Sequence, residues 1–306
     1  MTTARHFSSV LLGSCFLAGS AMAANIVTAP QGGVARWAGM AASECGVYGK
    51  RYAAVDAVCY FPVDIQTKPG THEIALWDQD GKQHMGTLRV EKAEFPKVEM
   101  ELPESLDRFL NPSDEQTKRA LAERVDIEKI LDGSDGPALF SLPLGEPAAS
   151  LPKSADDFGS ERLFNGEHES LHSGRDYPVG AGNDVKAVAD GKVVLAADHF
   201  YAGNSVYVDH GDGLVSMNFH LDSISVNAGD EVKRGQTLGT IGGTGRATGP
   251  HLHIGLRWLG KRVDPALLFD NPTTLPSVSD THAEAEAKIE KAEQAEPDEG
   301  EGSIDD

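Results

Sequence analysis

The chain has 306 residues, with 47 acidic against 27 basic side chains, a net charge of −20, 33 glycines and 7% aromatic residues. This acidic balance excludes a nucleic-acid-binding role, because neutralising phosphates takes basic patches. Abundant glycine together with 16 prolines favours short strands and turns over long helices.

Residues 1–23 read as an export signal: Arg5 gives a basic start, Val10 to Ala18 an apolar core, and Ala21-Met22-Ala23 a small-x-small cleavage site. The apolar run is shorter than the ~20 residues of a membrane span, so no span is expected in the mature chain, whose destination is the periplasm or the exterior. A lipid-anchoring reading of LGSC at Cys15 conflicts with the apolar run continuing through Phe16 and Leu17. The two remaining cysteines, Cys45 and Cys59, are expected to pair in an oxidising compartment.

Residues 24–97 carry strand-like runs punctuated by Lys68-Pro69-Gly70 and Asp80-Gly81, and read as a small β-sandwich with His72 and His84 at its surface. Residues 98–149 read as a helical linker. Ser113 with Gln116 forms a capping box, Leu121, Val125, Ile127, Ile130 and Leu131 lie roughly on one helical face, and Gly133 is the stop. Short strands return over 150–270, where KVVLAA, NSVYVDHG and LVSMNFHL predict an antiparallel meander and VNAGDEVKRGQTLGTIG two further brief strands. From 271 to 306 eleven acidic residues stand against Lys288 and Lys291, and the segment from Ser277 holds too little apolar surface to offset its ordering entropy, which predicts a disordered acidic tail.

Three clusters in 150–270 offer metal ligands: His172 and Asp176 in HSGRD, His220 in NFHL, and His251 and His253 in GPHLH. A catalytic zinc takes three nitrogen or oxygen ligands and leaves a fourth position for water. Gly174 and Pro178 argue against a helix through HSGRD, so a loop leading into a strand is expected there. Strand alternation sets His251 and His253 side by side on one face, which leaves open which of them binds.

Taken in this order, with DHGDGL and AGDEVKRGQTLGTIG between them, the motifs over Leu163 to Phe269 resemble the lysostaphin/LytM-type zinc metallopeptidases, which cut peptide cross-links in bacterial cell walls. The resemblance implies a mainly β chain whose carboxy-terminal antiparallel sheet is a LytM-type peptidase domain. It implies that His172, Asp176 and His253 bind Zn2+, that His220 and His251 are catalytic groups beside it, and that the partner is a peptidoglycan peptide stem. Asn218 departs from the pattern, since relatives commonly carry an aromatic residue two before the internal histidine.

Other readings attach to single features. A wall-binding or amidase-activating protein would share the fold without hydrolysis, although degenerate domains of that kind lack some zinc ligands and all are present here. The segment VNAGDEVKRGQTLGTIG looks like the hairpins of lipoyl-type carriers, an architectural likeness only. Arg246 is read either as a contact for a carboxylate on the peptide stem or as a solvated loop residue, His210 as structural, and His168 and His199 as solvent-facing loop residues. The amino-terminal half is expected to occlude the groove until a partner protein or proteolysis moves it.

Overall fold

The structure, a computed structural model, describes residues 25–278 apart from 135, 150 and 153–156. The expected export signal, Cys15 and the chain beyond Val278 lie outside the described residues.

The amino-terminal half contains β1 (Ile26–Pro30), β2 (Val34–Trp37), β3 (Ala42–Val47), β4 (Lys50–Ala53), β5 (Cys59–Pro62), β6 (Gly70–Asp78) and β7 (Gln83–Glu91). Five of them form a sheet in the order β1-β7-β6-β3-β4, and β2 pairs with β5 as a second layer. Alternation along β6 and β7 turns Ile74, Leu76, Leu88 and Val90 inward onto Val27, Ala35, Trp37 and Phe61. Cys45 of β3 and Cys59 of β5 are disulfide-bonded across the layers, 14 residues apart in sequence. Closing so short a loop stabilises the fold by about 3 kcal/mol on a chain-entropy estimate.

The linker opens with a strand, β8 (Lys97–Met100), which pairs in parallel with β9 (Glu161–Phe164); β10 (His168–Leu171) completes a three-stranded sheet. His168 therefore lies on a strand rather than in a loop. Helix α1 (Asp114–Asp132) starts at the expected capping box, where Ser113 Oγ accepts from Gln116 N and Gln116 Oε1 from Ser113 N. Its packed face differs from the expected one. Ile127 and Leu131 rest on Tyr207, Val215 and Met217, whereas Leu121 and Val125 are more than half exposed. Polar contacts set this angle: Glu123 accepts from Phe200 N at 2.8 Å, and Arg119 donates to Asp198 O at 2.8 Å.

The carboxy-terminal sheet contains β11 (Arg175–Tyr177), β12 (Asp184–Lys186), β13 (Gly191–His199), β14 (Gly203–Asp209), β15 (Leu214–Ile224), β16 (Glu231–Val232), β17 (Thr237–Ile241), β18 (Leu252–Trp258) and β19 (Lys261–Val263). The meander β13–β14–β15 is antiparallel as read, and the main path runs β11-β18-β15-β14-β13-β16. Leu252, Ile254, Leu256 and Trp258 of β18 are buried in the core beneath this sheet. The residues between them, His253, Gly255 and Arg257, alternate to the other face.

The two halves share that core. Val34, Val55 and Tyr60 join its hydrophobic cluster, and the Tyr60 and Phe140 rings lie 5.6 and 5.5 Å from Trp258. Asp64 accepts two charge-assisted bonds from Arg262 at 3.0 and 2.7 Å. The first residues assigned to the tail belong to this junction: Arg36 donates to Leu275 O and Thr273 O, and Leu275, Ser277 and Val278 are buried.

Candidate metal centre

The pairing of β11 with β18 sets Asp176 directly opposite His253. Both stand on the face opposite the core because their neighbours Tyr177, Leu252 and Ile254 are fully packed inward. His172 sits in the loop between β10 and β11, as expected of a loop leading into a strand. Gly174 makes that loop fit: a Cβ there would lie 2.6 Å from both His253 Nε2 and Ile254 O. The glycine that argues against a helix is thus the residue that lets His172 fold back over His253.

These three side chains converge. His172 Nε2 lies 3.2 Å from Asp176 Oδ1 and 3.1 Å from His253 Nδ1, and His253 Nδ1 lies 2.8 Å from Asp176 Oδ1. Zinc bonds of ~2.0–2.1 Å in a tetrahedron would space ligand atoms by about 3.3 Å, so the donor set and its spacing fit that ion. Three electron-rich atoms gathered so closely repel one another unless a cation or a proton sits among them, which is a second reason that the residues fit a metal.

The surroundings prepare the ligands. His172 Nδ1 donates to Asp157 O at 3.0 Å, which leaves Nε2 its lone pair. Arg162 donates to Asp176 Oδ2 at 2.8 Å and to Asp157 Oδ2 at 3.2 Å, holding Oδ1 towards the histidines. Burial alone would raise the Asp176 carboxyl, but the adjacent His172, His251 and His253 outweigh it and hold the group well below the usual carboxylate range. Burial pushes His253 down to about 4, so its ring is neutral and free to ligate.

His220 reaches the same groove by an irregularity. The ladder between β14 and β15 shifts register where Phe219 and His220 oppose Ser205, and His220 takes φ +61°. Such a bulge re-aims a side chain that strict alternation would have sent into the core. His220 Nδ1 donates to Thr244 O at 2.8 Å, and its ring centroid lies 5.0 Å from that of His251. Burial, then the neighbouring His253 and His251, pushes His220 down to about 3. His251 Nδ1 donates to Gly249 O at 2.8 Å, and its Nε2 lies 3.5 Å from Asp176 Oδ1. Burial lowers its imidazole, yet Asp176 outweighs burial and the net shift is upward.

A groove of roughly 240 Å³ runs past these residues, walled by Phe164, Tyr201 and Arg246 and, from the linker, Met100 and Leu102. Among the described residues the amino-terminal half contributes Met100 and Leu102 of the linker to this lining, and none of it comes from 25–97. Asn218 is buried, with Nδ2 donating to Val206 O at 3.4 Å, so the departure at that position falls in the core rather than on the groove. His210 is fully buried between Asp190 O and Ser216 Oγ, a structural position as read. His199, expected at the surface, is buried with Nδ1 2.6 Å from Ser205 Oγ. Sequence reasoning passed over Asp157 and Arg162, which carried no signal, and read Gly174 only as an argument against a helix.

Known proteins share this region. Peptidase family M23 matches residues 170–265, a stretch containing all five metal-centre and groove positions. Peptidoglycan DD-endopeptidase ShyA of Vibrio cholerae is 43% identical over 93 residues, 30% of this chain and 22% of that protein. DD-carboxypeptidase/endopeptidase Mpg of Neisseria meningitidis is 39% identical over 95 residues, 31% and 22% of the two chains. The match thus spans about a fifth of the length of these curated relatives. A crystal structure from Pseudomonas aeruginosa, described as a peptidase M23, superposes with TM-score 0.60 at 30% identity, covering 78% of this chain and 94% of that one.

Proposed function

The chain belongs to peptidase family M23, and on that premise we propose that it is an exported zinc metalloendopeptidase that hydrolyses peptide cross-links of bacterial peptidoglycan. The observation that carries this reading is the approach of His172 Nε2, Asp176 Oδ1 and His253 Nδ1 to within 3.2 Å of one another beside an accessible groove. The relative named as a peptidoglycan DD-endopeptidase supports the substrate class. The Cys45–Cys59 bridge supports an oxidising compartment, and no helix among the described residues is long and apolar enough to cross a membrane.

His172, Asp176 and His253 are the residues that would hold the zinc. When bound, the ion supplies Lewis-acid polarisation of the scissile carbonyl and makes water nucleophilic near neutral pH. His220, with its Nδ1 proton committed to Thr244 O, presents an unprotonated Nε2 that accepts a proton from the attacking water. His251, with Nδ1–H committed to Gly249 O, presents Nε2 beside Asp176, where a proton can be held for the developing oxyanion or the leaving amine. Arg162 donates to Asp176 Oδ2 and so keeps Oδ1 oriented towards the histidines.

The test is digestion of purified wall sacculi by the full chain before and after exhaustive chelation, with metal content measured in parallel. The reading expects about one zinc per chain, peptide release that stops on chelation, and recovery on adding zinc back. Sacculi digested equally well by metal-free protein would refute it.

A further inference from the structure

The groove is unusual in its charge. Apart from histidines, its charged lining residues are Arg162, Asp176 and Arg246. Asp176 is engaged by Arg162 and three histidines, and Arg162 is engaged by Asp176 and Asp157. Arg246 differs: among the described residues its one side-chain hydrogen bond is to Ser170 Oγ, at 3.3 Å, and no carboxylate pairs with it. A guanidinium has five N–H donors, so most of its capacity is uncommitted. In a chain of net charge −20, acidic partners abound elsewhere.

Arg246 is nonetheless held in place. Its guanidinium lies 4.9 Å from the Phe164 ring centroid and 5.2 Å from that of Tyr201, stacked between the groove walls. Its backbone N donates to Tyr201 O at 2.9 Å. The preceding Gly245, at φ +71°, permits this approach, since a Cβ would lie 2.5 Å from Tyr201 O. Thr244, one residue further back, takes the His220 Nδ1 hydrogen bond, so the same loop fixes Arg246 relative to His220. A rigid, stacked, unpaired arginine is suited to bidentate capture of a carboxylate.

We propose that Arg246 forms a carboxylate-binding subsite of the groove, and that the preferred substrate is a peptide carrying a free carboxylate near the scissile bond. This rests on the peptidase reading above, with Arg246 as a specificity-determining residue. The carboxylate has two sources, the terminus of a peptide chain or a side chain, and the chemistry at Arg246 is common to both.

The test uses the zinc-loaded full chain and three synthetic cross-linked stem-peptide dimers: one with free carboxylates, one amidated at the chain terminus, and one amidated at the side-chain carboxylate. One of the two amidations should raise KM by about tenfold with little change in kcat, and which one does so identifies the source. Arg246→Gln should bring the free dimer to the amidated level while leaving the amidated dimer unchanged, and Arg246→Lys should fall between. Equal KM for all three dimers in the parent, or an undiminished preference in Arg246→Gln, would overturn the subsite. Calorimetric binding of the cleavage-product peptides to chelated protein separates this from the peptidase reading. If no dimer is cut but the free product binds about tenfold tighter than its amide, the subsite stands and the peptidase reading falls; equal binding sinks the subsite.

Discussion

Backbone carbonyls fix one tautomer each in the two groove histidines: Thr244 O takes the Nδ1 proton of His220, and Gly249 O that of His251. On the proposed assignment neither ring need move to act, so replacing either would remove proton handling without disturbing His172 Nε2, Asp176 Oδ1 and His253 Nδ1. We expect His220→Ala and His251→Ala each to retain zinc and to lose about 10²–10⁴-fold in kcat. Metal analysis and sacculus digestion check this, and undiminished turnover in both variants would refute the assignment. A second residue-scale case is Asp212, at φ +47°, whose Oδ2 is buried without a partner among the described residues. Burial pushes its carboxyl from 3.8 up to about 7. The folded state then keeps a proton that the unfolded chain releases, so this group's contribution to stability falls as pH rises from about 4 to about 7 and is flat above. Asp212→Asn, which tolerates the same backbone angle, should flatten that slope and exceed the parent at pH 8 by about 1–3 kcal/mol, the cost of the unsatisfied group. Denaturant melts at pH 5 and pH 8 read it, and identical slopes in the two proteins would count against it.

Strand β18 shows how one element serves core and site together, its even positions packing under the sheet and His253 standing above. Period-two alternation made this legible, as it did the common face of His251 and His253. The bulge at His220 was not legible, because alternation assumes an unbroken register and the extra residue is a property of the pairing with β14. The α1 start could be read from Ser113 and Gln116, since a cap is local chemistry. Its packed face could not, because Glu123 and Arg119 orient the helix through bonds to β13 and the loop beyond it. The β10–β11 loop supplies the element-scale prediction. Gly174→Ala would place a methyl against the His253 ring and Ile254 O. We expect an overpacking cost of about 1–3 kcal/mol and at least tenfold weaker zinc binding. Competition titration against a chelating dye measures the second, and unchanged zinc affinity would contradict the role given to Gly174.

At the scale of the whole molecule, the amino-terminal half is a buttress: Tyr60 and Val34 cover the core around Trp258, and Asp64 clamps Arg262. An isolated segment 150–270 would expose that apolar surface, at a cost of at least about 3 kcal/mol. Its melting temperature should therefore lie roughly 10 °C or more below that of the full chain, measured by calorimetry at equal zinc. A segment melting with the full chain would show the buttress to be dispensable.

The mainly β class, the strands of the meander and the capping box were open to reading from the chain because periodicity and capping are local, whereas the grouping of HSGRD, FHL and GPHLH came from the family resemblance that their order carries. The approach of His253 Nδ1 to His172 Nε2 and Asp176 Oδ1, the positions of Asp157 and Arg162 beside them, the lack of a carboxylate partner for Arg246 among the described residues and the shared core were decided only by tertiary structure. Each depends on distances between residues remote in sequence, and no local pattern encodes such a distance until the sheets have paired and packed.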